Sequence, residues 1–269
     1  MATSAVSDVL ARCRAEGRAA LIGYLPVGFP TVEGSIAAMV AAVEAGVDII
    51  EVGVPYSDPV MDGPLIQAAA ATALAGGARV DDVFTAVRAV SDAGAPSVPM
   101  SYWNLVRRRG VDRFAADLAA AGGAGLITPD LIPEEADEWI AASDAEGLDR
   151  VFLVAPSSTE ERLAKVTAAS RGFVYAASTM GVTGVRSAVG GGAADLVRRT
   201  RAVTDLPICV GLGVSTREQA AEVASYADGV IVGSALVRCL AEARELSEGL
   251  DALRSLTAEL AAGVREGRR

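Results

Sequence analysis

Histidine is missing from this 269-residue chain, and lysine occurs once, at Lys165. Without histidine there is no Ser-His-Asp or Cys-His nucleophile system, and most zinc sites are excluded. Schiff-base chemistry has Lys165 as its one candidate, in a polar stretch with helical spacing where a solvated lysine is the ordinary reading. Acid–base work near neutral pH therefore falls to carboxylates, Tyr, Lys or Cys. Cysteine is scarce as well. Cys13, Cys209 and Cys239 are too widely spaced for a disulfide framework or a metal motif. Cys209 lies in an apolar run and reads as a small core residue, and the usage fits a reducing, cytoplasmic setting. Aromatics make up only 4% against 51% hydrophobic residues, so the core must be aliphatic. No stretch approaches 18 uninterrupted apolar residues, and MATSAVSDVLARCRAEG lacks a signal-peptide apolar region, so neither a membrane span nor a leader is expected. Positive charge is outnumbered, 24 to 34, for a net charge of −10. That field is a poor match for nucleic acid or an anionic membrane. An anionic ligand would have to be held by local backbone amides.

What is present is a repeating alternation. Eight short apolar runs occur: Ala20–Tyr24, Asp48–Gly53, Ser97–Ser101, Gly125–Thr128, Arg150–Val154, Phe173–Ala176, Pro207–Val210 and Gly229–Val232. They are continuous rather than alternating, as expected for strands buried on both faces. Ala-rich stretches with helical spacing lie between them, among them Ser35–Glu44, Val111–Ala121, Pro133–Glu146, Glu160–Ser170, Ala194–Val203 and Arg217–Ser225. The spacing predicts an α/β fold, a (β/α)8 TIM barrel occupying residues 1–269 as one domain. The gap from Gly53 to Ser97 has room for two helices, Leu65–Ala75 and Val80–Ser91. An extra N-terminal helix and a helical tail over Arg244–Val264 complete the expectation. A doubly wound open sheet competes, but its dinucleotide fingerprint is absent, since Gly211-Leu212-Gly213-Val214-Ser215-Thr216 lacks the third glycine.

A barrel places its site at the carboxyl ends of the strands. The second run holds Glu51, which shares a face with Ile49 and Gly53. A carboxyl there should be desolvated and its pKa raised; the plain alternative is a buried Glu satisfied by Arg or by amides. Asp58 and Asp62 follow in the next loop, where each also suits a turn or a helix cap. Asp130, after the fourth run, suits a cap for a helix starting near Pro133. The sixth run carries Tyr175 and leads into a glycine-rich segment, Met180–Gly192, which reads as a lid or as a slack surface loop. The seventh run ends in Gly211-Leu212-Gly213 and the eighth in Gly233-Ser234, just before a helical pattern. That pair is the place where barrels cradle phosphate, although turns alone also need glycine. Together these residues suggest proton transfer on a phosphorylated metabolite.

The stretch Glu51-Val52-Gly53-Val54-Pro55-Tyr56-Ser57-Asp58-Pro59-Val60-Met61-Asp62-Gly63-Pro64 resembles the signature of the tryptophan synthase alpha subunit family. The resemblance continues through Tyr102-Trp103-Asn104-Leu105-Val106, Asp130, Gly181-Val182-Thr183-Gly184, Gly211-Leu212-Gly213-Val214 and Gly233-Ser234-Ala235, in order from about Tyr24 to Val237. It implies a lyase that cleaves indole-3-glycerol phosphate to indole and glyceraldehyde 3-phosphate. It implies Glu51 as the catalytic acid/base and Asp62 as the carboxylate facing the indole N–H. Gly184, Gly213 and Ser234 fall on phosphate-binding positions, with Gly211 and Gly233 beside them. Tyr24, Tyr102, Tyr175, Thr183 and Leu212 match residues around the substrate, Thr183 on a closing loop. The implied partner is a beta subunit carrying pyridoxal phosphate, in an alpha2beta2 heterotetramer, with no cofactor or metal in this chain. Gly28-Phe29-Pro30 and Leu131-Ile132-Pro133 depart from the sequences common in the family, at the mouth where that partner would dock. Two other readings stand beside this one: a stand-alone lyase releasing free indole, and a weakly active subunit kept to activate a partner. Intact Glu51 and Asp62 argue against the second of these.

Overall fold

The computed structural model describes residues 4–177, 192–211 and 213–267. Nine strands run parallel in one sheet: β1 (Ala20–Pro26), β2 (Ile49–Gly53), β3 (Ser97–Met100), β4 (Gly125–Ile127), β5 (Asp149–Val151), β6 (Leu153–Val154), β7 (Val174–Ala177), β8 (Ile208–Gly211) and β9 (Gly229–Val232). Their order is β5-β4-β3-β2-β1-β9-β8-β7-β6. The two ends of that order, β5 and β6, are separated in sequence by Phe152 alone. They are the halves of the expected fifth run: β5 pairs with β4, β6 pairs with β7, and the Tyr175 amide donates to the Phe152 carbonyl at 3.1 Å. The chain itself thus carries the sheet round into the expected barrel, with one strand interrupted. Alternation survives the break, since Val151 and Leu153 pack inside the barrel and Phe152 packs in the outer core.

Helices cover the outside: α1 (Ala5–Ala15), α2 (Val32–Glu44), α3 (Pro64–Ala75), α4 (Val80–Asp92), α5 (Trp103–Arg109), α6 (Val111–Ala120), α7 (Asp137–Glu146), α8 (Glu160–Ala169), α9 (Gly192–Arg201), α10 (Arg217–Ala224), α11 (Ser234–Ala241) and α12 (Leu246–Glu266). The expected helix Pro133–Glu146 is divided. Pro133–Glu135 forms a 3-10 turn, and Ala136, at φ −97° and ψ 8°, separates it from α7. The short α5 has no counterpart among the expected helices.

The barrel interior is small and aliphatic, with Ile22, Ile49, Val98, Ile127, Val151, Cys209 and Ile231 in contact. Its floor is closed by α1, which contributes Val6, Val9, Leu10 and Cys13 to the same cluster. Ser4 caps α1 by accepting from the Ser7 amide at 3.1 Å and donates to the buried Asp149 at 2.5 Å. Past the other end of α1, the Arg18 guanidinium grips Asp48 with two bonds of 2.8 and 2.9 Å, and Asp48 also accepts from the Leu21 amide. These contacts fix the lower ends of β1 and β2, and hence the height at which Tyr24 and Glu51 emerge above. No helix among the described residues is long and apolar enough to cross a membrane.

Candidate active site

In the β1–β2 register Tyr24 lies opposite Glu51, one step above the Ile22–Ile49 pair that lies in the barrel core. Period 2 therefore turns both side chains into the mouth of the barrel. Glu51 is 1% exposed, and its Oε2 has no hydrogen-bond partner among the described residues. Loss of solvent raises its carboxyl to about 8, with the neighbouring Asp62 charge as the second cause. A neutral carboxylic acid at pH 7 is the consequence.

Asp62 is half-buried in the loop between β2 and α3. Desolvation raises its carboxyl, and a hydrogen bond from the Tyr102 hydroxyl at 3.2 Å opposes that rise. The same hydroxyl accepts from the Val60 and Met61 amides at 3.0 and 3.1 Å. Gln67, from α3, donates to the Asp62 carbonyl at 2.8 Å. Pro64 occupies the first turn of α3, where its missing N–H costs nothing. The loop is thus held over residues 60–64, where it enters α3, while the Asp62 carboxylate stays at the mouth. Tyr56 stacks on Tyr102 at 4.6 Å between centroids and accepts a bond from Asn104 at 2.9 Å.

Tyr24 and Tyr175 complete the constellation. Burial raises both phenols well above the ordinary range, and the Glu51 and Asp62 charges raise them further. Glycines at the strand ends make room for these rings. A Cβ on Gly53 would lie 2.6 Å from Tyr24 Cζ, and one on Gly211 would lie 3.0 Å from Tyr175 Cζ. Gly233 is similar, 3.3 Å from the Tyr24 ring. Gly211 and Gly233 thus have a packing role whatever anion they serve. Gly213 has φ +64°, a conformation other residues rarely adopt. Ser234 opens α11 behind Gly233, which provides no side-chain cap, and the first helical bond is Val237 N–H to the Gly233 carbonyl at 3.1 Å. The amides of the first turn consequently point outward, as an anion site requires. Thr183, Gly184 and Leu212, together with the expected lid up to residue 191, lie outside the described residues.

Several sequence candidates find ordinary roles. Asp130 is a cap, but of a different helix: its two oxygens accept from the Trp103 amide at 2.9 and 3.1 Å, at the start of α5. Asp58 is exposed and accepts from Ser57 at 2.6 Å. Lys165 sits exposed on α8, 3.3 Å from Glu161. Cys209 is buried in the barrel core. No group of three Cys, Asp or Glu side chains among the described residues is arranged to hold a metal ion.

Fold and site together define a class: (β/α)8 barrels with acid–base side chains at the carboxyl ends of their strands. Comparison with known proteins narrows it. The family model described as tryptophan synthase alpha chain matches residues 10–265. The tryptophan synthase alpha chain of Mycobacterium marinum is 67% identical over 254 residues, covering 94% of this chain and 92% of that protein. That of Nocardia farcinica is 65% identical over 262 residues, 97% of this chain and 96% of the relative. Among solved structures, tryptophan synthase from Mycobacterium tuberculosis superposes with a TM-score of 0.93 at 63% identity, covering 98% and 99% of the two chains. The alpha subunit from Legionella pneumophila superposes at 0.89 with 32% identity, covering 98% and 99%. The chain belongs to the tryptophan synthase alpha chain family.

Proposed function

We propose that this chain is a carbon–carbon lyase that cleaves indole-3-glycerol phosphate to indole and glyceraldehyde 3-phosphate, residues 1–269 acting as one barrel domain. The observation that carries the reading is Glu51: a buried carboxyl at the mouth, its Oε2 unpartnered, raised to about 8 and set beside a second carboxylate. Indole C3 is a poor leaving carbanion and must be protonated before its bond to the side chain can break. Glu51, neutral at pH 7, donates that proton and leaves an indolenine cation. Asp62, whose ionised form the Tyr102 bond favours, faces the ring nitrogen where positive charge grows. The Glu51 carboxylate then takes the proton of the substrate hydroxyl. Its oxygen forms the aldehyde as the C–C electron pair returns to the ring. Two carboxyls with different environments supply the two roles. Tyr24, Tyr102 and Tyr175 wall the indole, with Thr183 and Leu212 as further wall residues. Gly213, Ser234 and Gly184 take the phosphate, with Gly211 and Gly233 beside them. Because the chain carries a charge of −10, backbone amides and the α11 terminus must supply the attraction.

The family relationship supports a beta subunit as partner, in an alpha2beta2 assembly, with pyridoxal phosphate in that subunit and none needed here. Val60 and Ile132, 72% and 41% exposed on loops at the barrel mouth, suit an apolar contact there. A biosynthetic role of this kind fits the cytoplasm. Glu51→Gln tests the chemistry: indole formation should fall by about two to four orders of magnitude in a folded chain. Near-normal turnover would refute it. A cognate beta subunit should accelerate the chain by at least about tenfold, equivalent to about 1.4 kcal/mol. Unchanged turnover would leave a stand-alone lyase.

A further inference from the structure

We infer that Asp130 is a positioning residue for Asp62, acting along the rim of the barrel mouth through the start of α5 and the Tyr102 hydroxyl. The inference rests on the proposed role of Asp62 and extends it to a residue that touches neither substrate nor reacting atoms.

Helix α5 has seven residues, too few to persist on its own. Its N-cap position is Tyr102, whose side chain makes no capping bond. The cap comes instead from Asp130, 27 residues later on the loop after β4, with both oxygens on the Trp103 amide. A carboxylate there also meets the positive end of the helix. Tyr102 stands immediately before that pinned amide. Its hydroxyl uses its full capacity in one direction: two amides donate to it, from Val60 and Met61, and its proton goes to Asp62. The height of Tyr102 over the loop is therefore set by where α5 begins, and Asp130 sets that. Asp130 itself is exposed, so replacing it leaves the core untouched. The titrating groups facing Asp62 are Glu51 from β2, Tyr24 from β1, Tyr175 from β7 and Tyr102. Only Tyr102 hydrogen-bonds to its carboxylate among the described residues.

The test uses the full chain alone, with Asp130→Ala, Asp130→Asn, Tyr102→Phe and the double variant Asp130→Ala/Tyr102→Phe. Amide hydrogen exchange at Val60 and Met61 reports the clasp directly. Asp130→Ala should speed that exchange at least about fivefold and lower kcat by about three- to tenfold. It should also move the acid limb of the kcat profile to higher pH, because the bond that lowers the Asp62 carboxyl is weakened. Asp130→Asn, which retains an acceptor oxygen, should restore most of the loss. Tyr102→Phe should do more than Asp130→Ala, and combining them should add little, since both act through one contact. Wild-type exchange and kcat in Asp130→Ala would overturn the inference, as would effects that multiply in the double variant. So would faster exchange with unchanged kcat in a chain whose Asp62→Asn variant is inactive. Normal turnover of Asp62→Asn would instead refute the proposed function, and the exchange data alone would then decide the clasp.

Discussion

Glu51→Gln should make the protein more stable in alkali, by an amount the structure sets. The carboxyl moves from 4.5 in an open chain to about 8 in the folded one. Because the folded value is the higher, the native state binds the proton more tightly than the unfolded state. Stability must then fall as pH rises between those two values, by about 1.4 kcal/mol per pH unit. Below about 4.5 both states are protonated and nothing is lost; above about 8 both are ionised and the loss levels off. Over the whole window the loss is at most about 5 kcal/mol, an upper bound because water entry or a small loop shift relieves a buried charge. Glutamine keeps the shape and cannot ionise, so it removes this dependence. Urea unfolding of both proteins at pH 5, 7 and 9 measures it. The difference in unfolding free energy, variant minus wild type, should grow by several kcal/mol in favour of the glutamine variant from pH 5 to 9. Asp62→Asn should narrow the pH window and so reduce the total loss from Glu51, since its charge is the second cause of the rise. A difference independent of pH would refute a buried, proton-holding Glu51, and with it the general acid.

Gly53→Ala should cost about 1–3 kcal/mol and impair turnover, because its Cβ would lie 2.6 Å from Tyr24 Cζ; a thermal melt with a parallel activity assay checks both. Asp48→Ala should cost about 3 kcal/mol in chemical denaturation, since Arg18 would lose both bonds and keep, among the described residues, Glu16 and the Ala19 carbonyl. Thr257→Val should stabilise by about 1 kcal/mol in the same assay, because the buried Thr257 hydroxyl has no partner among the described residues and valine keeps the shape.

The barrel was legible because strands buried on both faces need unbroken apolar runs, and each of the eight runs holds at least part of a strand. The interruption at Phe152 was not, since Val151-Phe152-Leu153 is uniformly apolar and the break depends on which neighbour each half pairs with. Glu51 stood out because a carboxylate inside an aliphatic run is costly without a reason. Asp130 was readable as a cap but was matched to the helix nearest in sequence. Its actual helix lies 27 residues earlier and carries no cap of its own, so local spacing could not find it. The glycines at 53, 211 and 233 have the same difficulty. Two tyrosines on neighbouring strands fill the space beside them, and such contacts between strands far apart in sequence leave no trace in a one-dimensional pattern.

Two buried carboxylates at the floor and Glu51 at the mouth are treated in opposite ways. At the floor, Asp48 is gripped by Arg18, and Asp228 by Arg14 and Arg201 together with the Ile208 amide. Those groups can be charged and buried because each charge is met by an opposite one. At the mouth, burial and Asp62 both push the Glu51 carboxyl in the same direction, and no cation among the described residues offsets them. In a chain without histidine, the proton for chemistry near neutral pH must come from a group displaced from its ordinary range. Burial of Glu51 achieves that displacement, helped by the Asp62 charge and left unopposed because no arginine among the described residues pairs with it. The floor can be built for stability because nothing there has to give up a proton. The mouth keeps an unsatisfied oxygen and a second carboxyl close together, and both burial and the Asp62 charge hold a proton on Glu51, the proton that the proposed function gives to the substrate.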